Sequence, residues 1–372
     1  MKFPIRVPYV DLAAQWEKER DDLLPILDQV LSSGAYIGGE VVERFETAVA
    51  EHCGTDFAVA LNSGTDALVC ALHALGIGPG DEVITPPNSF IASTAAIVHL
   101  GAVPVFVDVL PDQNIDPALI ESAITPKTRA IMPVHLTGRV AHMDAVNEIA
   151  SRRNLVVIED AAQSFGSKWR DKPSGALGSV GCFSAHPLKN LNACGDGGFI
   201  TTDDEQAALK IRLMRNHGLV DRNNVEVFGM VSRMDALQAA ILSFRLLHLH
   251  ETIEVRRRNA DLYQQLLDPN FVYFPPEKEE EFNTYHTFVI QVDRREELRA
   301  SLAPSGVETA IHYPIPIHLQ AAGRRLGYKK GDFPVTESQA ERILTLPINQ
   351  TLSEEQVRFV AGEINRFMRG EQ

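Results

Sequence analysis

Short apolar runs recur along the first 200 residues, and stretches with helical spacing lie between most of them. The runs are Phe57–Leu61, Glu82–Thr85, Pro104–Asp108, Ala130–Val134, Leu155–Glu159, Val180–Ser184 and Gly198–Thr202. Between them, Thr65–Leu75, Ser89–Leu100 and Met143–Arg153 repeat apolar positions three and four apart, the period of an amphipathic helix. Strands that are apolar throughout, alternating with helices, make a mostly parallel sheet covered on both faces. The pattern predicts an α/β fold built on a seven-stranded sheet. Ahead of it, Trp16, Leu23, Leu24, Leu27 and Leu31 predict one helix, and Val41, Val42, Phe45, Ala48 and Val49 predict a second over about 40–52.

Past Asp203 the rhythm changes. Helical stretches run through Arg215 and then from about Met234 to Leu267. Asp268–Phe282 carries Pro275-Pro276 and the acidic residues Glu277, Glu279, Glu280 and Glu281, the composition of a solvated loop. Tyr285–Val292 alternates like a strand, and Arg294–Leu302 has helical spacing. The expected division is a large α/β domain over 1–250, N-terminal helices included, and a small C-terminal α+β domain over 251–372. The long helix near 234–267 would join them.

Size agrees with two domains: 372 residues, 45% apolar, suffice for a large core and a smaller companion. Lys plus Arg total 35 against 49 Asp plus Glu, a net charge of −14. That balance argues against a nucleic-acid partner or an anionic membrane surface. Cys53, Cys70, Cys182 and Cys194 form no C-x-x-C pair and no Cys/His zinc spacing, so free thiols in a reducing compartment and no metal are expected. No apolar run approaches the ~20 residues that span a bilayer, and a cytoplasmic protein is expected.

Catalytic groups on such sheets gather at the carboxyl ends of the strands, and three segments there carry chemistry. Asn62-Ser63-Gly64-Thr65-Asp66 joins a strand to a helix, with Ser63 and Asp66 at capping-box spacing. A helix N-terminus with a small Gly64 suits a phosphate, although the segment alone reads more readily as an ordinary strand-to-helix turn. Asp160 directly follows an apolar strand, where its carboxylate can hold a ring nitrogen protonated or simply cap a helix. Lys189 follows the strand ending at Ser184, and Gly195-Asp196-Gly197-Gly198 turns the chain back. A partly desolvated lysine there can form an imine and move protons, whereas a lone loop lysine is normally solvated. Three such segments on one sheet edge favour the chemical reading.

With these motifs in hand, the chain resembles the DegT–StrS family of sugar aminotransferases, which use pyridoxal 5′-phosphate (PLP) and have the fold-type I, aspartate aminotransferase-like architecture. The likeness runs from Tyr36-Ile37-Gly38-Gly39 through Asn62–Leu68, Pro86–Ala96, Glu159–Gly166, Phe183–Gly198, Arg215–Gly218 and Ser232–Ala240 to Ile311-His312-Tyr313-Pro314, Phe333-Pro334 and Leu346-Pro347. The resemblance implies that Lys189 carries PLP as a Schiff base. It implies further that Asp160 pairs with the pyridine nitrogen, Gln163 contacts the ring hydroxyl oxygen, and Gly64, Thr65 and Ser184 hold the phosphate. Phe90 would stack on the ring. His186, His312 and Tyr313 would lie near the sugar.

It also implies a homodimer with active sites at the interface, an amino donor that is L-glutamate in most relatives, and a keto sugar nucleotide as acceptor. The Pro-x-Lys-Asn-Leu loop and the His-Tyr-Pro segment lean toward a 3-keto sugar; a 4-keto sugar or keto-cyclitol is the alternative. A PLP-dependent sugar dehydratase is disfavoured by Lys189, since such relatives have His there. A non-catalytic binder is disfavoured by the full set of Lys189, Asp160 and Gln163. Three positions depart from the family pattern. Val231 replaces an Asn that reaches the neighbouring subunit's PLP, Ala185 replaces an aromatic residue and suggests a roomier pocket, and His186 stands where Tyr is common. Arg215, His217 and Arg233 are either diphosphate ligands or surface ion-pair partners.

Overall fold

The computed structural model describes residues 6–370. Helices α1 (Leu12–Ser33) and α2 (Glu40–Cys53) lead into an alternating run: β1 (Phe57–Leu61), α3 (Gly64–Ala74), β2 (Glu82–Thr85), α4 (Ile91–His99), β3 (Val103–Phe106), α5 (Pro117–Ala123), β4 (Thr128–Ile131), α6 (Met143–Arg153) and β5 (Val156–Asp160). Two-residue strands β6 (Lys168–Trp169) and β7 (Lys172–Pro173) precede β8 (Val180–Ser184), β9 (Gly198–Thr202) and α7 (Glu205–Met214). Then come α8 (Ala236–Leu247), α9 (Leu249–Leu266), β10 (Glu281–Phe282), β11 (Phe288–Gln291), α10 (Arg295–Leu302), α11 (Ala321–Arg324), α12 (Pro334–Arg342), β12 (Ile343–Leu346) and α13 (Glu354–Arg369).

Seven strands form one sheet in the order β1-β9-β8-β5-β4-β2-β3. The pairs from β8 to β3 are parallel, and β9 runs antiparallel to both its neighbours. The strands are apolar throughout because alternate side chains feed different cores. Val59, Leu61 and Ile158 pack with α3 and α4 residues such as Leu72 and Ile97. Ala58, Ala60, Phe183 and Phe199 pack on the other face with Phe45 of α2 and Leu242 of α8. Val157 joins Ile131, Met143 and Trp169 in a further cluster on that side. β4 ends earlier than its apolar run suggests, since Pro133 has no N–H for a ladder. Pro104 is tolerated because β3 is an edge strand.

Residues 260–364 supply most of a separate core in which α9, α10 and α13 pack on the antiparallel pair β11–β12. Val7 belongs to this core; it bridges to Val307, and the Tyr9 N–H donates to the Glu308 carboxylate at 3.1 Å. Two expectations change. The helix expected over 234–267 is two, broken at His248 (φ −104°, ψ 7°), with α8 packing on α1 and α2 and α9 on α13. The acidic segment is not all solvated loop: Glu281 lies in β10 and pairs with Arg139, and Glu277 pairs with Arg257 at 2.7 Å, so two of its charges are neutralised inside the fold.

Candidate active site

The tips of β1, β5 and β8 open on one cavity of about 430 Å³, a size suited to a cofactor and part of a substrate. All ten residues singled out in the sequence reach its wall: Gly64, Thr65, Phe90, Asp160, Gln163, Ser184, His186, Lys189, His312 and Tyr313. They come from segments up to 250 residues apart.

One corner is an anion cradle. Ser63 caps α3, its Oγ accepting the Asp66 N–H at 3.1 Å. The helix therefore opens with Gly64 and Thr65 facing the cavity, where the first N–H groups have no intrahelical partner. Gly64 is required: a Cβ there would lie 2.6 Å from the Ser184 Cβ. Ser184 closes the same corner from the end of β8.

Asp160 ends β5 and is 4% exposed. It does not cap a helix. Its Oδ1 accepts the Ala162 N–H at 3.2 Å and its Oδ2 accepts the Ser93 hydroxyl at 2.6 Å. Burial raises its pKa, and these hydrogen bonds and the charge of Lys189 oppose the rise. Such a carboxylate gains from a cation placed in the cavity. Burial pushes the Lys189 amine down to about 8, with Asp160 opposing. An amine so depressed is still mostly protonated at neutral pH, but its neutral fraction, about a tenth, far exceeds that of an ordinary lysine and can attack a carbonyl.

The Gln163 Oε1 accepts the Thr137 N–H at 2.8 Å, and its Nε2 donates to the Tyr313 hydroxyl at 3.4 Å. Phe90 is 54% exposed at the cavity, so it is no core side chain; its ring centroid lies 5.8 Å from that of Tyr313. His312 shares a hydrogen bond of 2.9 Å with the Thr345 hydroxyl and is pushed down to about 4 by burial and then by Lys189. The same two causes lower His186, so imidazoles rather than imidazolium ions face the amine.

These groups fit PLP, tested on features of this chain: a cradle that a Cβ at Gly64 would fill, a buried carboxylate short of a cation, a depressed lysine amine and a bare aromatic face. Further residues of the wall escaped the sequence reading. Ser93 has the pattern of an ordinary helix residue, and Ser63 that of a helix cap. Tyr9 and His286 approach from segments remote in sequence, Tyr9 stacking on His312 with centroids 5.9 Å apart. Ala185 is fully buried in a cluster with Phe183, Leu191 and Met234 and is not part of the wall. Arg215 is held by Glu46 and the Ala60 carbonyl, an intramolecular ion pair. Arg233 donates to Asn216 Oδ1 at 2.9 Å, and Val231 is 52% exposed.

The profile of the DegT/DnrJ/EryC1/StrS aminotransferase family matches residues 17–365. The chain belongs to this family. As a DegT/DnrJ/EryC1/StrS protein it is a PLP-dependent aminotransferase. It is 42% identical to a "pleiotropic regulatory protein" of Geobacillus stearothermophilus, over 98% of this chain and 99% of that one. It is also 42% identical to the dTDP-3-amino-3,4,6-trideoxy-alpha-D-glucose transaminase of Streptomyces venezuelae, over 97% of this chain and 96% of that one. Among solved structures, S. venezuelae DesV in complex with a ketimine intermediate superimposes with a TM-score of 0.96 at 41% identity, covering 98% of this chain and 99% of that one. Among the described residues no helix is long and apolar enough to cross a membrane.

Proposed function

We propose that this aminotransferase moves an amino group from L-glutamate to the keto group of a nucleotide-linked sugar, at C3. The observation that carries the site assignment is the meeting of the Lys189 amine, the Asp160 carboxylate and the α3 anion cradle on one cavity. The 3-amino sugar in the name of the S. venezuelae relative favours C3.

Bound PLP supplies an aldehyde and an electron-withdrawing ring. Lys189 would hold the aldehyde carbon through its Nζ, Asp160 the ring nitrogen, Gln163 the ring hydroxyl, and Gly64, Thr65 and Ser184 the phosphate, with Phe90 against the ring face. Once its Nζ is free, Lys189 would take the proton from the donor's α-carbon. Its depressed pKa lets it take up and return that proton near neutral pH. The acceptor enters past His186, His312 and Tyr313, whose neutral rings offer hydrogen bonds to sugar hydroxyls without repelling the amine. The exposed apolar side chains of Ile37, Val220, Val225, Phe228 and Val231 suit a second copy of the chain, and a homodimer is part of the proposal.

Incubating the PLP-loaded protein with L-glutamate should release 2-oxoglutarate. A panel of keto-sugar nucleotides, with the new amine located by NMR, should give product at C3; an amine at C4 would redirect the substrate assignment. Lys189→Ala should slow 2-oxoglutarate release by about a thousandfold or more, and a normal rate would defeat the mechanism. Sedimentation should show a dimer; an active monomer would end that part.

A further inference from the structure

We propose that Ser93 is a positioning residue, whose hydroxyl holds the Asp160 carboxylate ionised and turned toward the ring nitrogen of PLP. The proposal rests on the reading of Asp160 given above and deepens it. Ser93 lies in the first turn of α4 and is 1% exposed. Its Oγ sits 2.6 Å from Asp160 Oδ2 and 3.2 Å from the Phe90 carbonyl. A hydroxyl has one proton to give, and the short, charge-assisted bond to the carboxylate takes it.

Asp160 is left with two protein donors, one on each oxygen: Ser93 on Oδ2 and the Ala162 N–H on Oδ1. With both in place the carboxylate cannot rotate about its terminal torsion without breaking a bond. Its remaining lone pairs stay available to the cavity. Burial works against the ionised form here, and the Ser93 bond is the largest contribution opposing it. Without that bond the proton shared between Asp160 and a ring nitrogen moves toward the carboxylate.

The same turn of helix links two parts of the cofactor site. The Ser93 N–H donates to the Phe90 carbonyl at 3.3 Å, so the residue whose ring faces the cavity and the residue that holds Asp160 sit on one rigid loop of backbone. Ser93 thereby registers the plane of a stacked ring against the carboxylate that meets its edge. Ile97, on the same helix, packs in the core that also receives Ile158 of β5, which fixes α4 against the strand carrying Asp160.

The test uses full-length protein as wild type, Ser93→Ala, Ser93→Thr and Asp160→Asn. Three quantities are read: the PLP affinity of the apoprotein, the NMR resonance of a labelled ring nitrogen in bound PLP, and the melting temperature of the apoprotein. Ser93→Ala should weaken PLP binding by about tenfold to a hundredfold, the loss typical of a hydrogen bond to a charged group. Its ring-nitrogen resonance should move toward the unprotonated position while the apoprotein melts as wild type does. Ser93→Thr, which keeps the hydroxyl, should restore both. An unmoved resonance in Ser93→Ala overturns the proposal. So does a loss of affinity that merely tracks a lower melting temperature and is not recovered by Thr. If Asp160→Asn also leaves resonance and affinity unchanged, the reading of Asp160 itself fails. If Asp160→Asn shifts them and Ser93→Ala does not, only the role of Ser93 falls.

Discussion

The two sides of the β5 tip hold neighbouring carboxylates with opposite fates. Glu159 faces the core around Val157, and Asp160 faces the one around Ile158, because successive residues of a strand point to opposite faces. Glu159 is fully buried and saturated. Its oxygens accept N–H bonds from Gly175 (2.7 Å), Leu177 (2.7 Å) and Gly178 (2.6 Å), and the His135 Nε2 lies 2.9 Å away. His135 Nδ1 accepts the Ala141 N–H at 3.2 Å, which leaves Nε2 as the donor to Glu159. Asp160 has two donors and an open side. A buried acid whose lone pairs are filled by the backbone serves the fold, and one kept partly unfilled beside a cavity is available for chemistry.

The comparison breaks first if activity does not separate the two. Asp160→Asn should cut the rate of 2-oxoglutarate release by about a hundredfold to a thousandfold, the scale of losing one preorganised electrostatic partner. Apoprotein stability should hold or rise, since burial disfavours the charge being removed. Glu159→Gln should do the reverse. It turns an acceptor into a donor facing N–H groups, and should lower unfolding free energy by about 3 kcal/mol in chemical denaturation. If the two variants lose activity and stability in the same proportion, the distinction is wrong.

Smaller effects sharpen it. Gly64→Ala should weaken PLP binding by about tenfold through the clash with Ser184, with little change in the Glu159 side of the strand. Covalent capture of PLP by the apoprotein should rise with pH around a midpoint near 8 rather than 10.5, since only the neutral Lys189 amine reacts. The Asp160 charge raises that midpoint, so Asp160→Asn should lower it, whereas Glu159→Gln should leave it in place.

Much of this was legible in the chain, for physical reasons that also explain the rest. The seven main strands show as apolar runs because both faces of the sheet are covered. Asp160 and Lys189 show because each follows such a run in sequence. The pairs β6–β7 and β10 are two residues long, too short for any period to register. The break at His248 carries neither Gly nor Pro, so α8 and α9 read as one helix. Ser93 gave no signal because its partner lies 67 residues away, and Tyr9 none because His312 arrives some 300 residues later. Glu159 was read as one more residue of an apolar run, since its donors come from a loop whose course no local pattern states.

The clasp between Val7 and Val307, with Tyr9 leaning on His312, sets an order of events during synthesis. The segment around Val7 and Tyr9 emerges from the ribosome some 300 residues ahead of the partners that seat it. The sheet and its cradle can form earlier, but the wall that carries Tyr9 and His312 is finished last, and a nascent chain arrested before residue 307 would present a half-built pocket open on that side.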